Sequence, residues 1–144
     1  MRIRPFQPGD SDAVVALWRD CDLTRSWNDP HRDIARKLAQ QPDGFLVGEL
    51  PDGTVRASAM FGYDGHRGWV NYLAVGPELQ RQGHARALMH AGEAWLLAQG
   101  CPKLNLQVRR SNLAAVAFYD RLGYGEDDVV SLGKRLIPDA PPAG

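Results

Sequence analysis

The stretch LQRQGHARAL, residues 79–88, lies between an apolar run typical of a strand and a pattern typical of a helix. The apolar run covers residues 69–75 and ends at Gly76, and the helical stripe begins at Ala85. A helix N-terminus carries unpaired N–H groups and a partial positive charge, so it favours anions. Gly83 and Ala85 would let a phosphate group approach those amides. The same residues also suit a glycine turn entering an ordinary helix, and their spacing alone does not separate the two interpretations.

The residues before this stretch predict strands and a helical pair. An apolar stripe from Val14 to Cys21 predicts a first helix, with Asp10 or Ser11 as its cap, and Pro30 suits the first turn of a second helix. The predicted strands cover residues 2–6, 45–50, 54–61 and 69–75.

The residues after the stretch alternate between helix and strand. The predicted elements are a helix from near residue 84 to Gly100, a strand at 104–108, a helix at 112–122 closed by Gly123 and a last strand at 129–137. The order is therefore β-αα-βββ-α-β-α-β. This order predicts an α/β fold with a mixed central sheet and helices on both faces.

Composition narrows the class of protein. The 144 residues suit one domain, which we place at residues 1–137, with a flexible tail at 138–144. The 17 basic and 17 acidic residues balance, which argues against nucleic acid as a partner. Cys21 and Cys101 form no CxxC pair, the histidines lack metal-ligand spacing, and we expect no metal. No membrane-length apolar run or apolar signal region is present, so we expect a cytoplasmic protein without membrane contacts.

Three quoted stretches carry a family resemblance. QRQGHA at residues 80–85 matches the Q/R-x-x-G-x-G/A signature of the GNAT superfamily of acetyl-CoA-dependent N-acetyltransferases. YLAVGPELQRQG (72–83) resembles that family's fourth strand and cofactor loop. RRSNLAAVAFYDRLGY (109–124) resembles its segment with an Asn, a Tyr seven residues later, and then Leu-Gly-aromatic. The predicted order of elements is also the family's order.

Shorter stretches further resemble the small bacterial YpeA-type branch of that superfamily. These are CDLTRSWNDP, GYDGHRG and SLGKRLI, at residues 21–30, 62–68 and 131–137.

The resemblance implies acetyl-CoA as cosubstrate and a set of residues that hold it. In such proteins the fourth strand separates from the fifth after a β-bulge, and the pantetheine arm pairs with the exposed main chain. Pairing satisfies backbone groups that would otherwise be costly to leave unpaired. The implied pantetheine residues are Leu73, Ala74 and Val75, and the implied pyrophosphate residues are Arg81, Gln82, Gly83, His84, Ala85 and Arg86.

The resemblance also gives Asn112 and Tyr119 roles at the cofactor. Asn112 becomes a ligand of the pantetheine arm, and Tyr119 becomes the general acid that protonates the departing thiolate. The two residues are two helical turns apart and share a face. Two structural interpretations stay open: Asn112 as the N-cap of its helix, and Tyr119 as a core residue beside Phe118.

The general base is not fixed by any pattern. Relatives often have a glutamate near the start of the fourth strand, whereas residues 69–73 contain no carboxylate. Asp64 and His66 in the preceding loop are candidate bases. A water held by backbone groups and Tyr72 is an alternative, and Asp64 also suits a simple turn.

The resemblance implies an acceptor pocket at the loop between the first two helices. Trp27, Asn28 and Asp29 lie in that loop and, with Tyr72, are the predicted substrate residues. An aromatic ring beside acids suits a cationic amine. Asn28 or Asp29 also suits a cap for the helix that Pro30 begins.

The pattern therefore predicts an N-acetyltransferase for a primary amine of a small molecule or protein, acting by direct attack in a ternary complex. A non-catalytic acyl-CoA-binding module is the alternative, and a nucleotide-binding protein with a chance glycine turn is a third. Many members of the family that this chain resembles have two strands after the segment matching Tyr124, whereas only a short stretch follows here, so we expect an acceptor site that is open or completed by a second subunit. We accordingly expect a monomer or a homodimer.

Overall fold

The computed structural model describes residues 1–139, which form a five-stranded sheet with helices on both faces. The strands are β1 Arg2–Pro5, β2 Phe45–Glu49, β3 Val55–Tyr63, β4 Gly68–Val75 and β5 Leu104–Asn105. The helices are α1 Ser11–Asp20, α2 Pro30–Leu38, α3 His84–Ala98 and α4 Leu113–Arg121. The predicted α/β class is confirmed, as is the order of elements through α4.

The sheet keeps the order of the chain, β1-β2-β3-β4-β5. The first four strands are antiparallel neighbours, and β5 alone runs parallel to its neighbour β4. The parallel connection requires a crossover, which α3 provides. The β4–α3 loop therefore follows the C-terminal end of β4, the opposite end from the Gly68–Trp69 segment that pairs with β5.

Alternating side chains along the strands divide the core between the two sheet faces. One cluster joins Phe45, Val47 and Met60 to α1 and α2. The other joins Leu46 and Phe61 to α3, with α4 packed at its side. α3 approaches the sheet closely in this second cluster, where a Cβ built on Gly92 would lie 2.0 Å from the Phe61 ring.

The glycines that the sequence predicts at the ends of two helices are in those positions. Gly100 follows α3 with a φ of +81°, and Gly123 follows α4 with a φ of +92°. Asp10, one of the two predicted caps, occupies the N-cap position of α1, but its side chain makes no capping hydrogen bond to the helix. The Asp10 carboxylate instead accepts from the Gln7 N–H at 2.8 Å and forms an ion pair with Arg4.

The predicted last strand at residues 129–137 is wrong: this segment contains no strand and is exposed. This segment makes no strand pairing with β5. A side-chain hydrogen bond, in which the Gln107 amide donates to the Ser131 hydroxyl, holds it near the end of β5. β5 itself is shorter than the predicted 104–108. The segment then crosses to the α1–α2 loop, where Asp139 is buried. Most of the predicted flexible tail, residues 140–144, lies outside the described residues.

Candidate cofactor and acceptor site

The loop between β4 and α3 contains two residues in the left-handed region, Arg81 at a φ of +64° and Gly83 at +85°. A 3-10 turn, Pro77–Leu79, leads into it. The Gln80 side chain donates to the Val75 carbonyl at 3.2 Å and ties the loop to the end of β4. Residues 80–83 are exposed and follow directly on the strand edge.

Gly83 occupies the N-cap position of α3 and offers no side chain to cap it. The first turn contains no acidic residue, and nothing lies within 4 Å of where a Gly83 Cβ would stand. The N–H groups at this helix end therefore face open space with the positive end of the helix dipole. This arrangement fits the predicted approach of a pyrophosphate to residues 81–86.

β4 and β5 pair at Gly68–Leu104 and Trp69–Asn105 and then separate, three residues before the bulge that the resemblance placed ahead of the separation. From there β4 continues to Val75 paired with β3 only. Opposite the gap, the β3–β4 register shifts between Ser58 and Met60, which marks a bulge at Tyr72 and Leu73. One edge of β4 is thus left without a strand partner from residue 70 to 75 among the described elements.

Tyr119 lies on α4, half-buried against the α3 side of the sheet. Its ring makes edge contacts with Phe118 and Tyr124, at centroid distances of 5.0 and 5.8 Å. Burial raises the pKa of Tyr119 to about 12, so its hydroxyl is protonated at neutral pH. Leu73 packs against the same cluster, which brings the Tyr119 and Leu73 side chains to one side of the sheet. Both interpretations of Tyr119, acid and core residue, fit this position.

Asn112 is the N-cap of α4. Its side-chain oxygen accepts from the Ala115 N–H at 3.2 Å. The capping role is therefore present, and the role as pantetheine ligand stays a prediction.

Asp64 and His66 lie in the β3–β4 turn, at the opposite end of β4 from the cofactor loop. The Asp64 carboxylate accepts from the Arg67 and His66 N–H groups at 2.7 and 2.8 Å, which lowers its pKa. With a strand rise of ~3.3 Å per residue, this turn lies roughly 15 Å from the bulge. The structure thus shows the turn role of Asp64, and its role as a base stays a prediction, as does that of His66.

The predicted acceptor residues divide between exposed and engaged side chains. Trp27 is 58% exposed. Asp29 caps α2, accepting from the His31 and Arg32 N–H groups at 2.9 and 3.4 Å. Asn28 points toward β4, where its amide donates to the Tyr72 hydroxyl at 3.1 Å. The structure therefore brings Asn28 and Tyr72 together and gives Asp29 a capping role.

Four charged residues that the sequence patterns did not single out complete this region. Asp33 accepts from the Tyr72 hydroxyl at 2.7 Å, and Arg36 donates to Asp33 at 3.2 Å. Asp139 accepts from Arg36 at 2.5 Å and from Arg135 at 2.8 Å, contacts that lower its pKa.

In the sequence, Asp33 and Arg36 look like ordinary charged residues on the exposed face of a helix. Arg135 falls in the predicted last strand, and Asp139 falls in the predicted tail. Of these four residues, only Arg135 lies in a stretch that carries the family resemblance, SLGKRLI.

Among residues 1–139, no three His, Cys, Asp or Glu side chains cluster closely enough to hold a metal ion. None of the helices described is both long and apolar enough to span a bilayer.

Several known proteins are similar to this chain in sequence or in fold. An acetyltransferase of Yersinia pestis is 50% identical over 139 residues, 96% of this chain and 98% of the relative. The Escherichia coli ribosomal-protein-S18-alanine N-acetyltransferase superimposes with a TM-score of 0.72 at 26% identity, over 88% of this chain and 78% of that one. The NatB acetyltransferase complex bound to CoA and MES gives 0.76 at 22% identity, over 87% and 84%.

A sequence model of the acetyltransferase (GNAT) family matches residues 12–124. The chain therefore belongs to the GNAT family and is an acyltransferase.

Proposed function

We propose that this protein transfers the acetyl group of acetyl-CoA to a primary amine of a small molecule or protein, by direct attack within a ternary complex. The observation that carries the proposal is the uncapped α3 N-terminus at Gly83, continuous with the unpartnered edge of β4. A diphosphate and an amide-containing arm need these two features side by side. We expect the protein to act in the cytoplasm as a monomer or homodimer.

The binding residues follow from this geometry. The amides of the 81–86 segment would hold the pyrophosphate, with Arg81 and Arg86 adding positive charge at the exposed rim. The β4 edge at residues 73–75 would pair with the pantetheine arm. When bound, acetyl-CoA supplies a thioester whose carbonyl an amine can attack.

Three groups of the chain would then serve the reaction. A main-chain N–H at the bulge, in the region of Leu73, would donate to the thioester carbonyl oxygen. The Tyr119 hydroxyl, kept protonated by burial, would give its proton to the departing sulfur. Asp64, His66 or a water held near Tyr72 would accept the proton of the amine, and the distance of the turn from the bulge favours the water.

The cofactor assignment is tested by a pair of glycine substitutions at the two ends of α3. Gly83 and Gly100 have similar positive φ values, +85° and +81°, and nothing lies within 4 Å of either Cβ position. Valine at either site imposes the same kind of backbone strain, of roughly 1–3 kcal/mol. Only at Gly83 would the side chain also stand where the pyrophosphate must approach.

By titration calorimetry, we expect Gly83→Val to weaken acetyl-CoA binding by about 100-fold or more, about 2.7 kcal/mol. Gly100→Val should bind like the wild type, and both variants should lose similar thermal stability. Unchanged affinity in Gly83→Val would remove the pyrophosphate from this loop.

A measurement of turnover distinguishes an enzyme from a non-catalytic acyl-CoA-binding module. The second hypothesis is suggested by the absence of a carboxylate from β4. Steady-state release of free thiol from acetyl-CoA, measured across a panel of primary amines, should show amine-dependent turnover. Tight binding of acetyl-CoA with no release above the rate without amine would favour the regulatory module.

A further inference from the structure

Tyr72 holds an unusual backbone conformation within β4. Its φ is +54°, although it is a bulky aromatic residue inside a strand. The position coincides with the register shift opposite Ser58 and Met60. A conformation of this kind is uncommon for a side chain of this size and persists where the surroundings hold it.

Buried groups hold the ring and the carbonyl of Tyr72. The Trp18 ring stacks on the Tyr72 ring with centroids 3.8 Å apart and planes 12° from parallel. The Ser58 hydroxyl donates to the Tyr72 carbonyl at 2.8 Å and accepts from Trp18 Nε1 at 2.9 Å. Trp18 and Ser58 are fully buried, so this part of the bulge is fixed from the core.

The far end of the same side chain is held by α2. The Tyr72 hydroxyl donates to Asp33 Oδ2 at 2.7 Å and accepts from Asn28 at 3.1 Å. Arg36 donates to the other Asp33 oxygen at 3.2 Å and orients that carboxylate. Asn28 also donates to Asp33 Oδ2, so Asp33 on α2 and Asn28 in the α1–α2 loop together anchor the hydroxyl outside the sheet, with Asp33 accepting the hydrogen bond that the hydroxyl donates.

The two residues of the bulge face opposite sides of the sheet. Tyr72 packs against the cluster beneath α1 and α2, whereas Leu73 packs on the α3 side, where Tyr119 also lies. A rotation of the bulge at Tyr72 would therefore turn the Leu73 N–H. That N–H lies in the region that would meet the thioester carbonyl.

We propose that Asp33 is a positioning residue, which accepts the Tyr72 hydroxyl and so holds the β4 bulge with its following N–H aimed at the reacting carbonyl. This inference rests on the proposed acetyl transfer. It assigns Asp33 no contact with the amine and no proton transfer.

The test compares variants that remove or retain the Asp33–Tyr72 contact. Asp33→Ala and Tyr72→Phe each delete it, whereas Asp33→Asn keeps an oxygen that can accept from the hydroxyl. Asp43→Ala is the matched control, because it deletes another aspartate–aromatic hydrogen bond, from Trp95 Nε1 at 3.0 Å, away from the bulge. For each variant we would measure melting temperature, acetyl-CoA affinity by calorimetry, and kcat and KM for the amine.

Asp33→Ala and Tyr72→Phe should each lower kcat by about 10- to 100-fold, since small misplacements of a reacting group cost rates of this order. The double variant should be no slower than the slower single variant, because the two substitutions delete the same Asp33–Tyr72 hydrogen bond. Asp33→Asn and Asp43→Ala should keep kcat within about threefold of the wild type, and acetyl-CoA affinity should stay within about threefold throughout.

Other outcomes overturn the proposal. Full kcat in Tyr72→Phe would show that the contact does not position the bulge. A raised amine KM with unchanged kcat in both Asp33 variants would make Asp33 an acceptor-binding residue. A wild-type protein that neither binds acetyl-CoA nor releases thiol would overturn the proposed function itself, and this inference with it.

Discussion

At the scale of the residue, Tyr119 combines the two properties that a donor to a departing thiolate needs. Burial holds its pKa near 12, so the proton stays on the hydroxyl at neutral pH. Its ring is held by edge contacts with Phe118 and Tyr124. The Tyr124 hydroxyl donates to Glu93 at 2.5 Å, which fixes the neighbouring ring from α3.

The substitution Tyr119→Phe separates the proton donor from the core residue, because it deletes one hydroxyl and keeps the ring. We expect kcat to fall by roughly 10- to 1,000-fold, somewhat below the usual range for a general acid, since a thiolate leaves moderately well unaided. Acetyl-CoA affinity should change by less than about tenfold, the equivalent of one neutral hydrogen bond. Steady-state kinetics with a verified amine would decide the matter; a fully active variant would leave Tyr119 with its packing role alone.

At the scale of the element, Gly92 allows α3 to lie close against the sheet, because it has no side chain. A Cβ on Gly92 would lie 2.0 to 2.3 Å from three atoms of the Phe61 ring. Gly92 and Phe61 are both buried in the cluster on this face. The helix therefore lies against β3 at a distance that only glycine permits.

Gly92→Ala should lower the free energy of unfolding by about 2 kcal/mol. Alanine gains about 1 kcal/mol in helix propensity, but overpacking costs up to about 3 kcal/mol. Chemical denaturation gives the value, with Gly9→Ala as control, because nothing lies within 4 Å of its Cβ position. Adding Phe61→Leu should recover part of the loss; equal stability of Gly92→Ala and wild type would mean that α3 is not held by this contact.

At the scale of the whole molecule, Arg56 ties three segments together. From β3 it forms ion pairs with Glu78 in the cofactor loop at 2.7 Å and with Asp20 at the end of α1 at 3.0 Å. The hydrogen bond with Arg56 lowers the pKa of Glu78 to about 2. The pKa of Asp10 is also lowered, first by its hydrogen bond with Arg4.

These carboxylates predict a loss of stability in acid. A group whose pKa is lowered by folding stabilises the protein fully above its unfolded pKa, and that stabilisation disappears as pH falls toward the folded value. For Glu78 this window runs from about 4.5 down to about 2. The melting temperature of the wild type should thus fall steadily as the pH is lowered through this window. The melting temperature of Glu78→Gln should fall less steeply.

Glu126→Gln is the control for that experiment, because Glu126 pairs with Arg110 at 3.2 Å while both side chains are largely exposed. Pairs of this kind contribute little in water. Its pH profile should follow the wild type. Parallel profiles for Glu78→Gln and the wild type would show that the Arg56 ion pair does not stabilise the fold.

Patterns within single elements were enough to predict much of this protein. The apolar stripe from Val14 to Cys21 and the glycines at 83, 100 and 123 set where helices begin and end. These features depend on a few neighbouring residues, and so they can be read along the chain. The motifs around Gly83 and Tyr119 likewise predicted the family, since their spacing within a segment is part of the sequence.

Contacts between distant segments were settled only by the tertiary structure. Asp33 of α2 and Tyr72 of β4 meet although 39 positions separate them along the chain, and Asp139 reaches Arg36 across 103 positions. The stretch 129–137 is apolar enough to predict a strand, yet side-chain bonds such as Gln107–Ser131 hold it without a ladder. Whether a segment pairs depends on which edge lies beside it, and that is a property of the folded chain.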